Sequence, residues 1–236
     1  MNEKKLGEGK LVFGELVMAA PAVVAVLSGE SAAKDASLAE GLGADLVEVR
    51  LDLLPGDPIK VMRRVREASD LPIIATNRLA AEGGGFRGGE EKRIAILAEA
   101  SAWADLIDVE LRAEGRDHLL EMVDVPVIIS YHDFEGSPLP QAAGFILAEI
   151  FEAGADIAKL AVTPSSLKDC LDLLELLLHP GGPTSILGMG DVGRHLRFLA
   201  PIYGSVLTYG YIGTSTAPGQ IPVKALKGVL EVLMDR

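Results

Sequence analysis

ADIAKLAVTP (Ala155–Pro164) is the stretch on which the fold of this chain turns. Ile157, Ala158, Leu160, Ala161 and Val162 make a nearly continuous apolar run, the pattern of a strand buried on both faces of a parallel sheet. Pro164–Ser165–Ser166 then ends the run and opens a helix, because LKDCLDLLELLL (Leu167–Leu178) carries its apolar residues at helical spacing. Strand, turn and amphipathic helix together make one β/α unit. Lys159 lies inside that strand, where an ammonium is unfavourable unless it is paired or made neutral. Desolvation lowers the pKa of a lysine, and a neutral amine can attack a carbonyl to form a Schiff base. The alternative for this run alone is a strand-end lysine whose head reaches solvent.

The unit recurs along the chain. Apolar runs at Ala22–Leu27, Asp45–Leu51, Pro72–Thr76, Leu106–Leu111, Val125–Tyr131, Asp156–Val162, Thr184–Met189 and Ser205–Tyr209 predict eight strands. Helical segments fall between them, as at Glu90–Ala104, with acids in its first turn and an apolar stripe at Ile94, Leu97 and Ala98. Eight strands alternating with helices predict an α/β fold, a single (β/α)8 TIM barrel, with residues 1–236 as one domain. An open doubly wound sheet is the alternative. No G-x-G-x-x-G follows the first strand, and Gly188–Gly193 (GMGDVG) comes too late in the chain to serve as one.

Composition narrows the function. Of the 236 residues 49% are hydrophobic and 24% charged, as in an ordinary globular protein. The net charge of −12 argues against nucleic acid and anionic membrane as partners, so an anionic substrate would need a local positive field. Cys170 is the single cysteine, which leaves no internal disulfide and no cysteine metal cluster and fits a cytoplasmic location. Residues 11–27 resemble a signal peptide, but Glu15 interrupts them and Ala22–Leu27 reads equally as a strand. Residues 198–223 are uncharged over a membrane-spanning length, yet their Pro and Gly content describes strand and loop.

In a barrel the chemistry belongs at the C-terminal ends of the strands. Several polar residues have that address: Glu48 and Arg50 on one face of the second strand, Arg78 after the third, His132 at the end of the fifth and Lys159 late in the sixth. Arg197 follows the seventh through a Gly-rich turn, and Thr216 and Gln220 lie in GTSTAPGQ (Gly213–Gln220) after the eighth, placed to donate hydrogen bonds over a site. Each has a plainer reading. Glu48 and Arg50 can be an ion pair in the barrel mouth, and His132 a structural hydrogen-bonding residue. Arg78 and Glu82 are spaced for a helix-face salt bridge, although Gly83–Gly84–Gly85 favours a mobile loop that carries Glu82 inward, toward a histidine. His118 and His179 read as exposed, and His195 as either buried or exposed. Asp45, Asp105 and Asp156 open strands in a repeated Ala-Asp-(Leu/Ile) form and are assigned to turns and stability at the barrel bottom. No His, Asp or Glu spacing resembles a metal site.

With these residues in view, the chain resembles the type I 3-dehydroquinate dehydratases of the shikimate pathway, nearly end to end from Ala22 to Val223. The motifs are EVRLDLL (Glu48–Leu54), TNR and the glutamate that follows (Thr76–Glu82), DLIDVEL (Asp105–Leu111), SYHDF (Ser130–Phe134), ADIAKLAVTP, MGDVGRHLR (Met189–Arg197) and APGQIPV (Ala217–Val223). The resemblance implies a (β/α)8 barrel and a lyase of aromatic amino acid biosynthesis that needs no cofactor and takes 3-dehydroquinate to 3-dehydroshikimate by syn elimination of water. It implies Lys159 as the Schiff-base residue, His132 as acid and base, and Glu82 as the group that orients the histidine. Glu48, Arg50, Arg78, Arg197, Thr216 and Gln220 become substrate-binding positions, with Arg197 on the carboxylate. Two positions depart from the family pattern: Thr216 stands where serine is usual, keeping the hydroxyl, and Leu196 where serine is common. The expected partner is the small-molecule substrate, and a homodimer is one assembly the chain allows. A Schiff-base aldolase barrel is the competing enzyme, and a barrel that keeps the fold without turnover is the competing non-enzyme.

Overall fold

A computed structural model describes residues 5–7, 9–14 and 16–234. Eight parallel strands, Ala22–Leu27, Leu46–Arg50, Ile73–Thr76, Leu106–Glu110, Val127–Asp133, Ile157–Val162, Thr184–Gly188 and Leu207–Tyr211, form the barrel in chain order. Helices connect them, each packing on the outside, and a two-residue strand, Ile221–Pro222, adds in parallel to the eighth. The expected barrel is therefore present, with strand limits shifted by one or two residues. The two predicted helices end earlier than expected, at Ala100 and Leu176, because Ser101–Trp103 tightens to a 3-10 turn and Leu177 caps the second.

Strand alternation sorts the core into two layers. Val47, Val49, Ile73, Ala75, Ile107, Val109, Ile129, Ala158 and Leu160 pack outward against the helices. Leu46, Ile74, Leu106, Ile128, Ile157 and Leu207 pack inward and fill the lower barrel. Burying a side chain of this kind is worth about 1.5–3 kcal/mol each, so the floor is a packed core that fixes the strands above it.

The N-terminal strands Lys5–Gly7, Lys10–Phe13 and Leu16–Ala19 form a small antiparallel sheet that the sequence reading did not anticipate. It closes the bottom of the barrel, where Leu11, Met18 and Ala20 join the inner apolar cluster. The stretch that resembled a signal peptide thus runs through three strands, Lys10–Phe13, Leu16–Ala19 and Ala22–Leu27, although Glu15 itself lies outside the described residues. Among the described residues no helix is long and apolar enough to cross a membrane.

At the lower strand ends three aspartates repeat one contact. Asp45 Oδ2 accepts from Val23 N at 2.8 Å, Asp105 Oδ2 from Ile73 N at 2.8 Å and Asp156 Oδ2 from Val127 N at 2.8 Å. Each carboxylate satisfies an amide at the start of a neighbouring strand, which is the stabilising role expected for it.

The barrel has a seam. The hydrogen-bonded ladder runs from the seventh strand through the first to the eighth and on to Ile221–Pro222, without closing between the seventh and the eighth. Between the seventh and eighth, Val206 N donates to Thr184 O at 2.9 Å, Ile186 N to Ser205 Oγ at 3.0 Å and Ser185 Oγ to Leu207 O at 2.9 Å. One backbone bond and two serine hydroxyls thus stand in for a ladder between the last two strands.

Candidate active site

One step up each strand from the apolar floor, the inward residue becomes polar. Leu46 gives way to Glu48, Ile74 to Thr76, Leu106 to Asp108, Ile128 to Ser130 and Ile157 to Lys159. Alternation obliges residues two apart to share a face, so these side chains converge on the barrel axis. Lys159 Nζ donates to Asp108 Oδ2 at 2.8 Å and to Glu48 Oε1 at 3.4 Å, and it lies 4.2 Å from the centre of the Tyr209 ring. The sequence placed this lysine in an apolar strand, which is right for its neighbours in the chain. Its amine, however, sits in a charged enclosure made by other strands.

Asp108 is held from both sides. Its Oδ1 accepts from Ser130 Oγ at 2.6 Å and Arg78 Nη2 at 2.8 Å. Arg78 continues the network, with Nη1 donating to Ser130 Oγ at 2.6 Å and lying 3.3 Å from Glu110 Oε1. Glu110 in turn faces Arg93 Nη1 at 2.8 Å. Burial would lower the pKa of Arg78, but Asp108, Glu110 and Glu48 together raise it above the ordinary guanidinium value. Burial likewise opposes ionisation of Asp108, and Arg78 and Lys159 overcome it and hold the carboxyl below the usual range. Arg78 therefore does not pair with Glu82 along a helix.

Glu82 occupies the 3-10 turn Ala80–Glu82, which Gly83 closes at φ +77°. The positive φ favours glycine here, and a side chain at Gly83 would also have to displace the exposed Phe134 ring, whose tip would lie 2.3 Å away. The turn directs Glu82 inward onto His132: Oε2 accepts from His132 N at 3.0 Å and lies 2.9 Å from His132 Nδ1. With Nδ1 bonded to the carboxylate, Nε2 is the ring nitrogen left for other work. Burial, reinforced by the positive charges of Arg78 and Lys159, pushes the His132 pKa well below its ordinary value. Burial pushes Glu82 up to about 7, against the pull of Arg78. A neutral imidazole in this position can take a proton and return it. In the parallel register Ser130 stands beside Lys159 and His132 beside Ala161, one inward step nearer the mouth.

Arg50 does not form the ion pair with Glu48 that was one of its two readings. Its Nε and Nη2 reach Asp52 Oδ1 and Oδ2 at 3.0 and 2.7 Å, not Glu48, which bonds Thr76 Oγ1 at 2.9 Å. Asp52 Oδ2 also accepts from Gly85 N at 2.8 Å, tying the glycine loop to the second strand.

Arg197 enters from the helix Leu196–Ile202. It donates to Tyr209 O at 3.0 Å and to Pro218 O at 3.4 Å, and its buried Nε has no partner among the described residues. Burial, aided by Arg194, lowers its pKa to about 10. Among the described residues no carboxylate balances this cation, in contrast to Arg50, Arg78 and Arg93. That is the local positive field an anionic ligand needs in a chain of net charge −12. In the 213–220 loop, Gln220 Oε1 accepts from Thr216 N at 2.7 Å, Thr216 Oγ1 at 3.2 Å and Ala217 N at 3.3 Å. The glutamine carbonyl thus braces the loop, and its amide N–H groups remain as donors.

All nine residues singled out from the sequence, Glu48, Arg50, Arg78, Glu82, His132, Lys159, Arg197, Thr216 and Gln220, line one pocket at the C-terminal ends of the strands. His118 and His179 are exposed, and His195 is half-buried outside the pocket lining. The sequence reading missed Asp108, Ser130 and Tyr209. For Asp108 a signal existed: Asp108 and Glu110 are acids two apart inside a buried strand, the same spacing that marked Glu48 and Arg50.

Comparison with known proteins gives the family and the fold. Residues 22–235 match the family description Type I 3-dehydroquinase. A 3-dehydroquinate dehydratase of Methanothrix thermoacetophila is 53% identical over 216 residues, 92% of this chain and 93% of that protein. One of Methanococcoides burtonii is 40% identical over 222 residues, 90% of this chain and 94% of its own. Among solved structures, the type I 3-dehydroquinate dehydratase of Clostridium difficile, with covalently modified comenic acid, has a TM-score of 0.86 at 30% identity, covering 96% of this chain and 98% of that one.

Proposed function

The chain belongs to the type I 3-dehydroquinase family and is a hydro-lyase, and from that premise we propose that it eliminates water from 3-dehydroquinate through a Schiff base on Lys159. The observation that carries the proposal is the pairing on adjacent strands of a buried, carboxylate-held amine and a Glu82-oriented imidazole, facing one pocket with an unbalanced arginine.

The steps follow from the chemistry of a β-hydroxy ketone. The Lys159 ammonium gives up a proton, its nitrogen attacks the C3 ketone to form a carbinolamine, and the carbinolamine hydroxyl takes that proton back and leaves as water as the protonated imine forms. The imine draws electrons from C2 far better than a ketone does. His132 Nε2 removes the C2 proton and an enamine results. The electron pair then expels the C1 hydroxyl, which takes the same proton back from His132 and departs as water. One base on one face gives syn elimination. Hydrolysis of the conjugated imine releases 3-dehydroshikimate and restores the amine. Arg197 holds the C1 carboxylate, for which its free Nε is suited. Glu48, Arg50, Arg78, Thr216 and Gln220 bind the remaining polar edge of the substrate. The reaction belongs to the shikimate pathway, and the cytoplasm is the compartment that a chain with one cysteine suits.

The test is a turnover assay with 3-dehydroquinate, following the ultraviolet absorbance of the conjugated product, with and without a metal chelator. Product formation that ignores the chelator is expected. An inert protein, or activity lost to chelator and restored by metal, would overturn the proposal.

A further inference from the structure

Asp108 has no assigned part in the reaction above, yet it is the carboxylate nearest the reacting nitrogen. Its side chain is fully buried, and its two oxygens have separate duties. Oδ1 takes both the Ser130 hydroxyl and the Arg78 guanidinium, while Oδ2, among the described residues, bonds Lys159 Nζ alone. Glu48 is less committed to the amine: its Oε1 lies 3.4 Å away and is shared with Thr76 Oγ1.

We propose that Asp108 is the positioning residue and lasting counter-ion of the Lys159 nitrogen, holding it through both ammonium and protonated imine. The inference rests on the Schiff-base reading and adds to it a residue and a reason. Imine formation balances as ammonium plus ketone giving protonated imine plus water. The nitrogen carries one positive charge at the start and at the end of that step but falls from three N–H bonds to one. Of two carboxylates that can share an ammonium, only one can keep a hydrogen bond to the imine. Distance and freedom from other donors give that bond to Asp108. Glu48 is then released from the nitrogen and turns its oxygen to a substrate hydroxyl, which joins its two roles. Because Ser130 and Arg78 fix Oδ1, Asp108 needs no rearrangement as the nitrogen changes, the condition under which a fixed charge stabilises a reaction intermediate most.

This division of labour separates Asp108 from His132. Loss of His132 stops proton transfer after the imine exists, whereas loss of Asp108 impedes the imine itself. The experiment compares the rate at which borohydride traps a covalent adduct of 3-dehydroquinate, read by intact mass, in wild type, Asp108→Asn, Ser130→Ala and Asp108→Ala with added formate. Asp108→Asn is expected to slow trapping by about 10²–10³-fold, the usual effect of removing one preorganised polar group. Ser130→Ala keeps the charge but loosens its hold, and a net loss near 1 kcal/mol corresponds to roughly fivefold slower trapping. Formate should restore part of the rate to Asp108→Ala, which a merely structural aspartate would not allow. Trapping of Asp108→Asn and Ser130→Ala at the wild-type rate overturns the role of Asp108 and leaves the Schiff base standing. If Asp108→Asn does not fold, wild-type trapping in Ser130→Ala is enough to overturn it. Wild type that cannot be trapped overturns both readings.

Discussion

Asp45 and Glu48, Asp105 and Asp108, and Asp156 and Lys159 are pairs set three residues apart on three strands, yet their members do opposite things. The lower member of each pair is an aspartate that accepts a backbone N–H from the neighbouring strand. Asp45 and Asp105 keep a quarter to a third of the side chain in water, at 24% and 36% exposure. The upper members are nearly sealed, at 5%, 0% and 5%, and bond one another. Position along the strand makes the difference. At the bottom, partial hydration keeps a charge inexpensive, and Asp45 and Asp105 add to the amide one partly exposed basic partner each, Lys227 at 3.3 Å and Arg66 at 3.0 Å. Above the apolar floor a charge must find an opposite charge, so Glu48, Asp108 and Lys159 lock together with Arg78. Arg197 is the exception at that end, a buried cation with no acidic partner among the described residues, and the account gives that place to substrate.

The comparison can be broken most sharply at His132. His132→Ala should reduce turnover by about 10³–10⁴-fold, the upper part of the range for one acid–base group, because both proton transfers pass through it. Adduct formation with borohydride should survive. Turnover within tenfold of wild type would return His132 to a structural role.

Arg197→Lys keeps the charge but loses the planar donor pair that suits a carboxylate. A charge-assisted contact is worth about 1.5–3 kcal/mol, so KM should rise roughly tenfold to a hundredfold with a smaller change in kcat. An unchanged KM would take Arg197 out of the site.

Glu82 tests what the upper end does to stability. Its pKa is raised from 4.5 to about 7, mainly by burial, so the folded protein binds a proton there that the unfolded chain releases. The stabilising effect is complete below about pH 4.5 and is lost as pH rises through about 7. Glu82→Gln cannot titrate. Wild type should therefore lose up to about 3 kcal/mol relative to Glu82→Gln between pH 4.5 and 8, measured by urea unfolding. A difference that stays flat with pH would contradict the burial of this carboxyl.

The lower end predicts a different signature. Asp105→Ala leaves Ile73 N and Arg66 without their shared acceptor and should cost about 1–3 kcal/mol, or some 2–4 °C in Tm per kcal/mol, with KM unchanged. A raised KM with unaltered Tm would mean that the two ends are not separate.

Much of this arrangement was legible in the sequence, for a definable reason. Buried parallel strands announce themselves as unbroken apolar runs, and any charged residue inside one stands out, which is how Glu48, Arg50 and Lys159 were found. Three successive glycines after Glu82 excluded a helix and so pointed to the turn that reaches His132. Contacts between strands were not legible. Lys159 and Asp108 are 51 residues apart, and nothing local to either names the other. Arg50 was matched to Glu48 by strand alternation, whereas its bond to Asp52 depends on the 3-10 turn Leu51–Leu53 that immediately follows the strand. The N-terminal sheet escaped because strands of three and four residues leave too little pattern to separate from loop.

The most direct measurement is to reduce the protein with borohydride in the presence of 3-dehydroquinate and map the modified peptide by mass spectrometry. One added ligand mass is expected, located on Lys159, together with loss of activity. Modification on another residue, or full activity with no adduct, would contradict it.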